Sequence, residues 1–167
     1  MTNSRPSKFV KDSAITNYKI AMPEDSNPGN ENVNGGIVLQ LIDNIAGIAA
    51  LRHCRTRTVT ASIDKMDFIY PIKVGELIIL SASVNCVFGK SMEVGVKVEV
   101  ENLRTGDRHT TGKAYLTFAA VDQAGHPIQV PFIVEPETPD EKRRFKEAQQ
   151  RRKLRLEQRE RMDSESN

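Results

Sequence analysis

The chain has 167 residues, of which 38% are hydrophobic, enough for one domain with a true core and too few for two. Net charge is +2 and unevenly placed: residues 137–167 hold ten of the 24 Lys/Arg and eight of the 22 Asp/Glu, leaving 14 of each for residues 1–136. A neutral body argues against a nucleic-acid-binding face. No run approaches the roughly 18 apolar residues of a membrane span, and MTNSRPSKFV lacks a signal peptide's apolar stretch. Cys54 and Cys86, far apart and outside any CxxC, fit a reduced cytoplasmic protein.

Residues 1–13 are polar and read as a flexible N-terminus. AITNYKIAM (14–22) reads as a short strand, and PEDSNPGNENVN (23–34) as a loop rich in Pro, Asn and Gly. The next segment, GGIVLQLIDNIAGIAALRHC, predicts a helix of about 18 residues, ~27 Å long at 1.5 Å per residue. It is nearly apolar all round, the mark of a helix wrapped by other structure. TVTASIDKMDF (58–68) predicts a strand whose apolar phase switches, placing a bulge near Asp64–Lys65.

LIILSASVNCVF, MEVGVKVEVE and GKAYLTFAAV then alternate with period 2. Ile78, Leu80, Ala82, Val84, Cys86 and Phe88 share one face of the first run, and Ala114, Leu116, Phe118 and Ala120 one face of the third. FGKS and RTGD sit where hairpin turns are needed. The chain closes on a helix whose signature is Thr138 as N-cap, Pro139 at the first position and Glu141 completing a capping box. Its apolar residues, Phe145, Ala148, Leu154, Leu156 and Met162, are too sparse for a core face, so the helix reads as solvated. The fold class is therefore α+β: an antiparallel sheet wrapped around one long central helix, plus a C-terminal charged helix over 137–167.

GxSxG, GxxxxGK[ST], GxGxxG and HExxH are all absent from the sequence. His53, His109 and His126 lie far apart without ligand spacing to the cysteines, so they read as ordinary surface histidines, and neither a metal nor a cofactor is expected. That directs attention to Asp43, a lone carboxylate in the most apolar segment. It is either a polar helix edge beside Gln40 and Asn44, or a partly desolvated general base or nucleophile. Gly35–Gly36 is either a plain turn or a helix start whose free N–H groups polarise a carbonyl.

NVNGGIVLQLIDNIAGIAALRHC, TASIDKMDFIYPIKVGE, GKSMEVGVKVEVENLRTG and YLTFAAVDQAGHPIQVP, in that order and spacing, resemble the hotdog-fold acyl-CoA thioesterases, the cytosolic acyl-CoA hydrolase family. The resemblance runs from about Ala14 to Val134, within a domain bounded at 14–136. It implies hydrolysis of fatty acyl-CoA to free acid and CoA, without a cofactor, at the interface of a hotdog dimer. Three such dimers make a hexamer in this subgroup. Asp43 matches the family's helix Asp. The helper Asn falls among Asn27, Asn30 and Asn32, with Asn27 the best match through its DSN context, and Asn34 stands where many relatives carry Phe or His. The implied site pairs Asp43 of one subunit with the loop Asn at the dimer interface; the expected helpers are the backbone N–H of Gly36 for the carbonyl and Thr60 or Ser62, from the facing strand of the partner, to orient the water. Leu41, Ile45 and Phe68 are expected to line an acyl tunnel. Gly89, Lys90 and Ser91 in one turn, with Arg104 and Arg108 around another, are the candidates for binding CoA phosphates.

The reading from a different class is a non-catalytic acyl-CoA-binding or sensing module on the same fold. A hydratase is a third, and it meets the difficulty that no His precedes Asp43 in its helix or entry loop. Cytoplasmic location, and neither nucleic-acid binding nor membrane insertion, complete the expectations.

Overall fold

In the computed structural model, which describes residues 5–64 and 66–165, the chain runs β1 (Ser7–Phe9), α1 (Val10–Ser13), β2 (Ile15–Ile20), a 3-10 turn (Pro23–Asp25), α2 (Gly35–Cys54) and β3 (Arg57–Ile63). It continues with β4 (Leu77–Val87), β5 (Ser91–Glu101), β6 (Arg108–Val121), β7 (Ile133–Glu135) and α3 (Pro139–Glu165). Five strands form one antiparallel sheet in the order β2-β4-β5-β6-β3, and α2 lies across its concave face.

The long alternating runs form the strands because their even-numbered side chains find a common core. Leu80, Val84, Val94, Val98, Ala114, Leu116 and Ala120 are all sealed from solvent against Val38, Ile42, Ile45, Ala46 and Ala49 of α2. Each fully buried Ile or Leu contributes about 1.5–3 kcal/mol. The N-terminus of α2 is capped by the Asn34 side chain, which accepts the Gly36 N–H at 2.8 Å. At its other end Arg55 takes a left-handed conformation, and Lys8 Nζ donates to the His53 carbonyl at 2.7 Å. By length and mean hydropathy α2 would also pass for a membrane span, yet 44% of it is buried inside the fold.

The wrapping is not complete. Gly36, Gln40, Asn44, Ile48 and Leu51 form an open face of α2, continuous with the edge strand β3, where Val59 and Ile63 are also exposed. A register shift in β3 falls between Thr60 and Ser62, whereas the bulge expected near Asp64–Lys65 involves Lys65, which lies outside the described residues. A second shift, between Val84 and Cys86, was not foreseen. It pairs Cys86 with Glu93 on the outer face, so Cys86 leaves the concave set to which alternation assigned it, and Phe88 lies under Arg152 of α3. Burial, and Glu93 beside it, push the Cys86 thiol up to about 12.

Three further expectations need correction. Residues 7–13 are not a loose terminus: β1 pairs in parallel with β7, and Val10 and Ser13 are buried. His53 is fully buried and bonds the Phe132 carbonyl through Nε2; burial holds it below the ordinary imidazole range. Nor is α3 a solvated helix. The capping box forms as read, with Thr138 and Glu141 each bonding the other's N–H. Beyond it, Arg144, Ala148, Arg151, Arg152 and Arg155 make one stripe that lies on the outer face of the sheet. Arg151 grips the fully buried Glu93 carboxylate through two bonds of 2.8 and 3.1 Å and stacks 3.6 Å over Tyr115. Arg155 holds Asp64 at 2.6 Å.

Candidate active site

Asp43 stands beside the open face of α2, one turn before Gly47, over which the Phe118 ring packs. Phe118 pairs with Thr60 across β6–β3, and the Thr60 hydroxyl donates to Asp43 Oδ1 at 2.8 Å. Asp43 and Thr60 are therefore partners within one chain, whereas the helper hydroxyl, of Thr60 or Ser62, was expected from the partner subunit. The bond fixes one carboxylate oxygen, and Oδ2 has no hydrogen-bond partner among the described residues. A carboxylate with one oxygen anchored and one open suits proton abstraction or direct attack.

The helix start is the second element. Gly36 was expected to offer its N–H to a carbonyl, but that N–H is already donated to Asn34 Oδ1. The neighbouring Gly35 N–H has no acceptor among the described residues. It opens on a cavity of about 160 Å³ lined by Asn32, Val33, Val38, Phe68, Tyr70 and Ile72. Phe68 ring carbons lie 3.5 Å from where a Gly35 side chain would begin, so the ring covers the helix end at van der Waals distance. Of the three residues expected to line an acyl tunnel, Phe68 alone borders this cavity; Ile45 is core and Leu41 packs against the core.

Asn27 is not brought to Asp43. Its N–H and its carboxamide both bond the Asn32 carbonyl, closing the 26–33 loop, while Asn30 Oδ1 accepts the Asn32 N–H. The proposed phosphate-binding groups separate as well. Gly89, Lys90 and Ser91 turn at one end of β5, and Arg104 and Arg108 at the other, ~33 Å away along eleven residues. Only the first group shares the level of the site, since Thr60 pairs with Phe118 and Phe118 with Met92. Arg108 is engaged by Glu101 at 2.7 Å. What sequence reading missed was Asn34 as the cap over Gly36, although an Asn directly before a glycine-led helix is a capping signal.

Seven residues of helix separate Gly36 from Asp43, ~10.5 Å along the axis. A carbonyl bound at the helix start therefore cannot reach the Asp43 of its own chain. Among the described residues no cluster of His, Cys, Asp and Glu could hold a metal.

Residues 30–106 match the family model of the thioesterase superfamily. The uncharacterized acyl-CoA thioester hydrolase YkhA of Bacillus subtilis is 43% identical over 134 residues, 80% of this chain and 77% of that protein. The cytosolic acyl coenzyme A thioester hydrolase of Rattus norvegicus is 40% identical over 71% of this chain, which spans only 32% of the rat protein. In three dimensions the chain is similar to an acyl-CoA hydrolase of Staphylococcus aureus solved with coenzyme A, at a TM-score of 0.90 and 33% identity, covering 96% of this chain and 95% of that one. Alanine variants of the S. aureus enzyme at an Asn, an Asp and a Thr have been solved. A hexameric acyl-CoA thioesterase aligns at a TM-score of 0.87 and 38% identity, over 92% and 97% of the two chains.

Proposed function

The chain belongs to the thioesterase superfamily, among the hotdog-fold acyl-CoA thioester hydrolases, and from that premise we propose that it cleaves fatty acyl-CoA at Asp43 in a site that two copies build together. The observation that carries the reading is the split within one chain: an anchored carboxylate at mid-helix, and a free N–H beside an apolar cavity ~10.5–12 Å away. An isologous pairing of the open α2/β3 faces sets the Asp43 of each copy against the helix start of the other. The exposed Ile48, Leu51, Val59 and Ile63, and the unpaired edge of β3, support that pairing.

In this reading the Gly35 N–H donates to the thioester carbonyl oxygen and draws charge from the carbonyl carbon. Asp43 Oδ2 takes a proton from water as the water oxygen bonds that carbon. The tetrahedral intermediate then expels the CoA thiolate, which recovers the proton. The other route has Oδ2 attack directly, giving an anhydride that water opens. Asn27 of the 26–33 loop is the group we assign to hold the water, with its carboxamide turned from the Asn32 carbonyl toward the partner's Asp43. CoA phosphates are assigned to the Gly89–Ser91 turn. The assembly we infer is a dimer, with a hexamer supported by the similar hexameric thioesterase, and the location is the cytoplasm, as for the cytosolic mammalian relatives.

Thiol release from acyl-CoAs of increasing chain length tests the assignment. Wild-type protein liberates free CoA, and Asp43→Asn loses about 10²–10⁴-fold in turnover while keeping its fold and assembly. Near-wild-type turnover by Asp43→Asn rejects the mechanism. Binding of acyl-CoA by wild-type protein without release of CoA would make it a sensing module instead.

A further inference from the structure

A cavity of about 620 Å³ lies on the outer face of the sheet, the side away from Asp43, between α1, β2 and the start of α3. Along its floor one cross-strand row reads Thr16, Ser81, Lys97 and Lys113, each opposite the next in register. Lys97 and Lys113 are thus directly opposed on neighbouring strands, with like charges where such pairs are destabilising. Gly95, in the adjacent row, keeps the floor low because the Asn85 carboxamide occupies the space its side chain would fill, 2.7 Å from that position. Arg144 leans in from α3 with its guanidinium near Ser83 at 3.5 Å, and its Nε lies 3.2 Å from Asp140 Oδ2.

Five cations, Lys11, Lys97, Lys113, Arg143 and Arg144, border the cavity against two carboxylates, Asp140 and Glu141. Those carboxylates are already engaged. Asp140 pairs with Arg143 and Arg144, and Glu141 accepts the N–H groups of Glu137 and Thr138. Lys11 pairs with Glu137 and Lys97 with Glu99, whereas Lys113 feels Asp140 across the cavity but makes no ion pair with it within 4.0 Å. The volume falls in the range of small-molecule sites. A ligand that rests between the two lysines must be anionic and present several acceptor oxygens, which is the chemistry of a phosphate group.

We propose that this outer groove is a second site, separate from the hydrolytic one, that binds a phosphate-bearing small molecule between Lys97 and Lys113. The two lysines face each other across β5 and β6 on the side of the sheet opposite Phe118 and Thr60. Occupancy of the groove therefore needs no part of the acyl-CoA site.

Calorimetry and thermal melting with inorganic phosphate and with ADP test this on the full-length protein. Both ligands bind and raise the melting temperature, ADP at least tenfold more tightly because its larger body fills more of the cavity. Lys97→Gln/Lys113→Gln weakens both at least tenfold. In phosphate-free buffer its melting temperature is unchanged or higher, since the opposed charges are gone. A wild-type protein that binds neither ligand overturns the proposal. So does ADP binding with undiminished affinity to the double variant, which would place the nucleotide elsewhere, such as at the CoA-binding rim.

Discussion

If the hydrolytic site is built by two copies, two inactive variants must repair one another. Asp43→Ala removes the reactive carboxylate and Asn27→Ala the water-holding carboxamide, so each homodimer lacks one component at both of its sites. In a mixed dimer the defects redistribute. One site receives both, and the other is assembled from the intact half of each chain. Random reassociation makes half the dimers mixed, each with one intact site of two, so an equimolar mixture recovers about a quarter of the wild-type rate. The structure dictates this geometry: Gly36 and Asp43 lie seven helical residues apart, ~10.5 Å, whereas reacting atoms must approach to about 3 Å. The assay is thiol release after the variants are dissociated, mixed and reassociated, with each variant alone as the background. Recovery of no activity by the mixture, although each variant alone is inactive and the mixed dimer is seen by mass, would refute the shared site. Full activity of Asn27→Ala alone would remove Asn27 from it.

Thr60→Ala frees Asp43 Oδ1 and should lower kcat/KM about tenfold, the worth of one hydrogen bond to a charged group, with Thr60→Ser retaining most of it. Arg151→Ala takes from the fully buried Glu93 its bidentate cation, leaving Arg155 at 3.6 Å, and should cost up to about 3 kcal/mol in urea denaturation. Pairing it with Glu93→Leu should recover most of that loss, because the buried charge is then gone. Asp25 supplies a pH dependence. Lys19 beside it, helped by the Met22 N–H, holds its carboxyl below the usual carboxylate range. Its contribution is present above the unfolded value of about 3.9 and is lost as pH falls through the lower folded value. Asp25→Asn should therefore flatten acid unfolding in that window, as followed by circular dichroism.

Much of the fold was legible because its signals are local. Period-2 alternation in β4, β5 and β6 and the capping box of α3 depend on neighbours in sequence, and they appear where the residues indicated. The bulges were not legible. Alternation carried Cys86 onto the concave face, but an extra residue at Asn85 turns it outward to Glu93, and only the pairing with β5 reveals that. The packing of α3 was hidden for a chemical reason. A helix that docks through arginines onto Glu93, Asp64 and Tyr115 shows no apolar stripe, so a hydrophobic-periodicity reading takes it for solvated.

At the site, sequence alone determined the identities. It singled out Asp43 by its isolation in an apolar segment, and the glycine pair by the helix it opens. What the tertiary structure decided is which groups meet. It gives Asp43 the hydroxyl of its own Thr60, occupies the Gly36 N–H with Asn34 and leaves that of Gly35 open. It also parts the Gly89–Ser91 turn from Arg104 and Arg108 by the length of a strand. Residue type and spacing constrain what a side chain can do. Contact depends on register, bulges and helix rise, which arise only once non-local strands and the helix pack together.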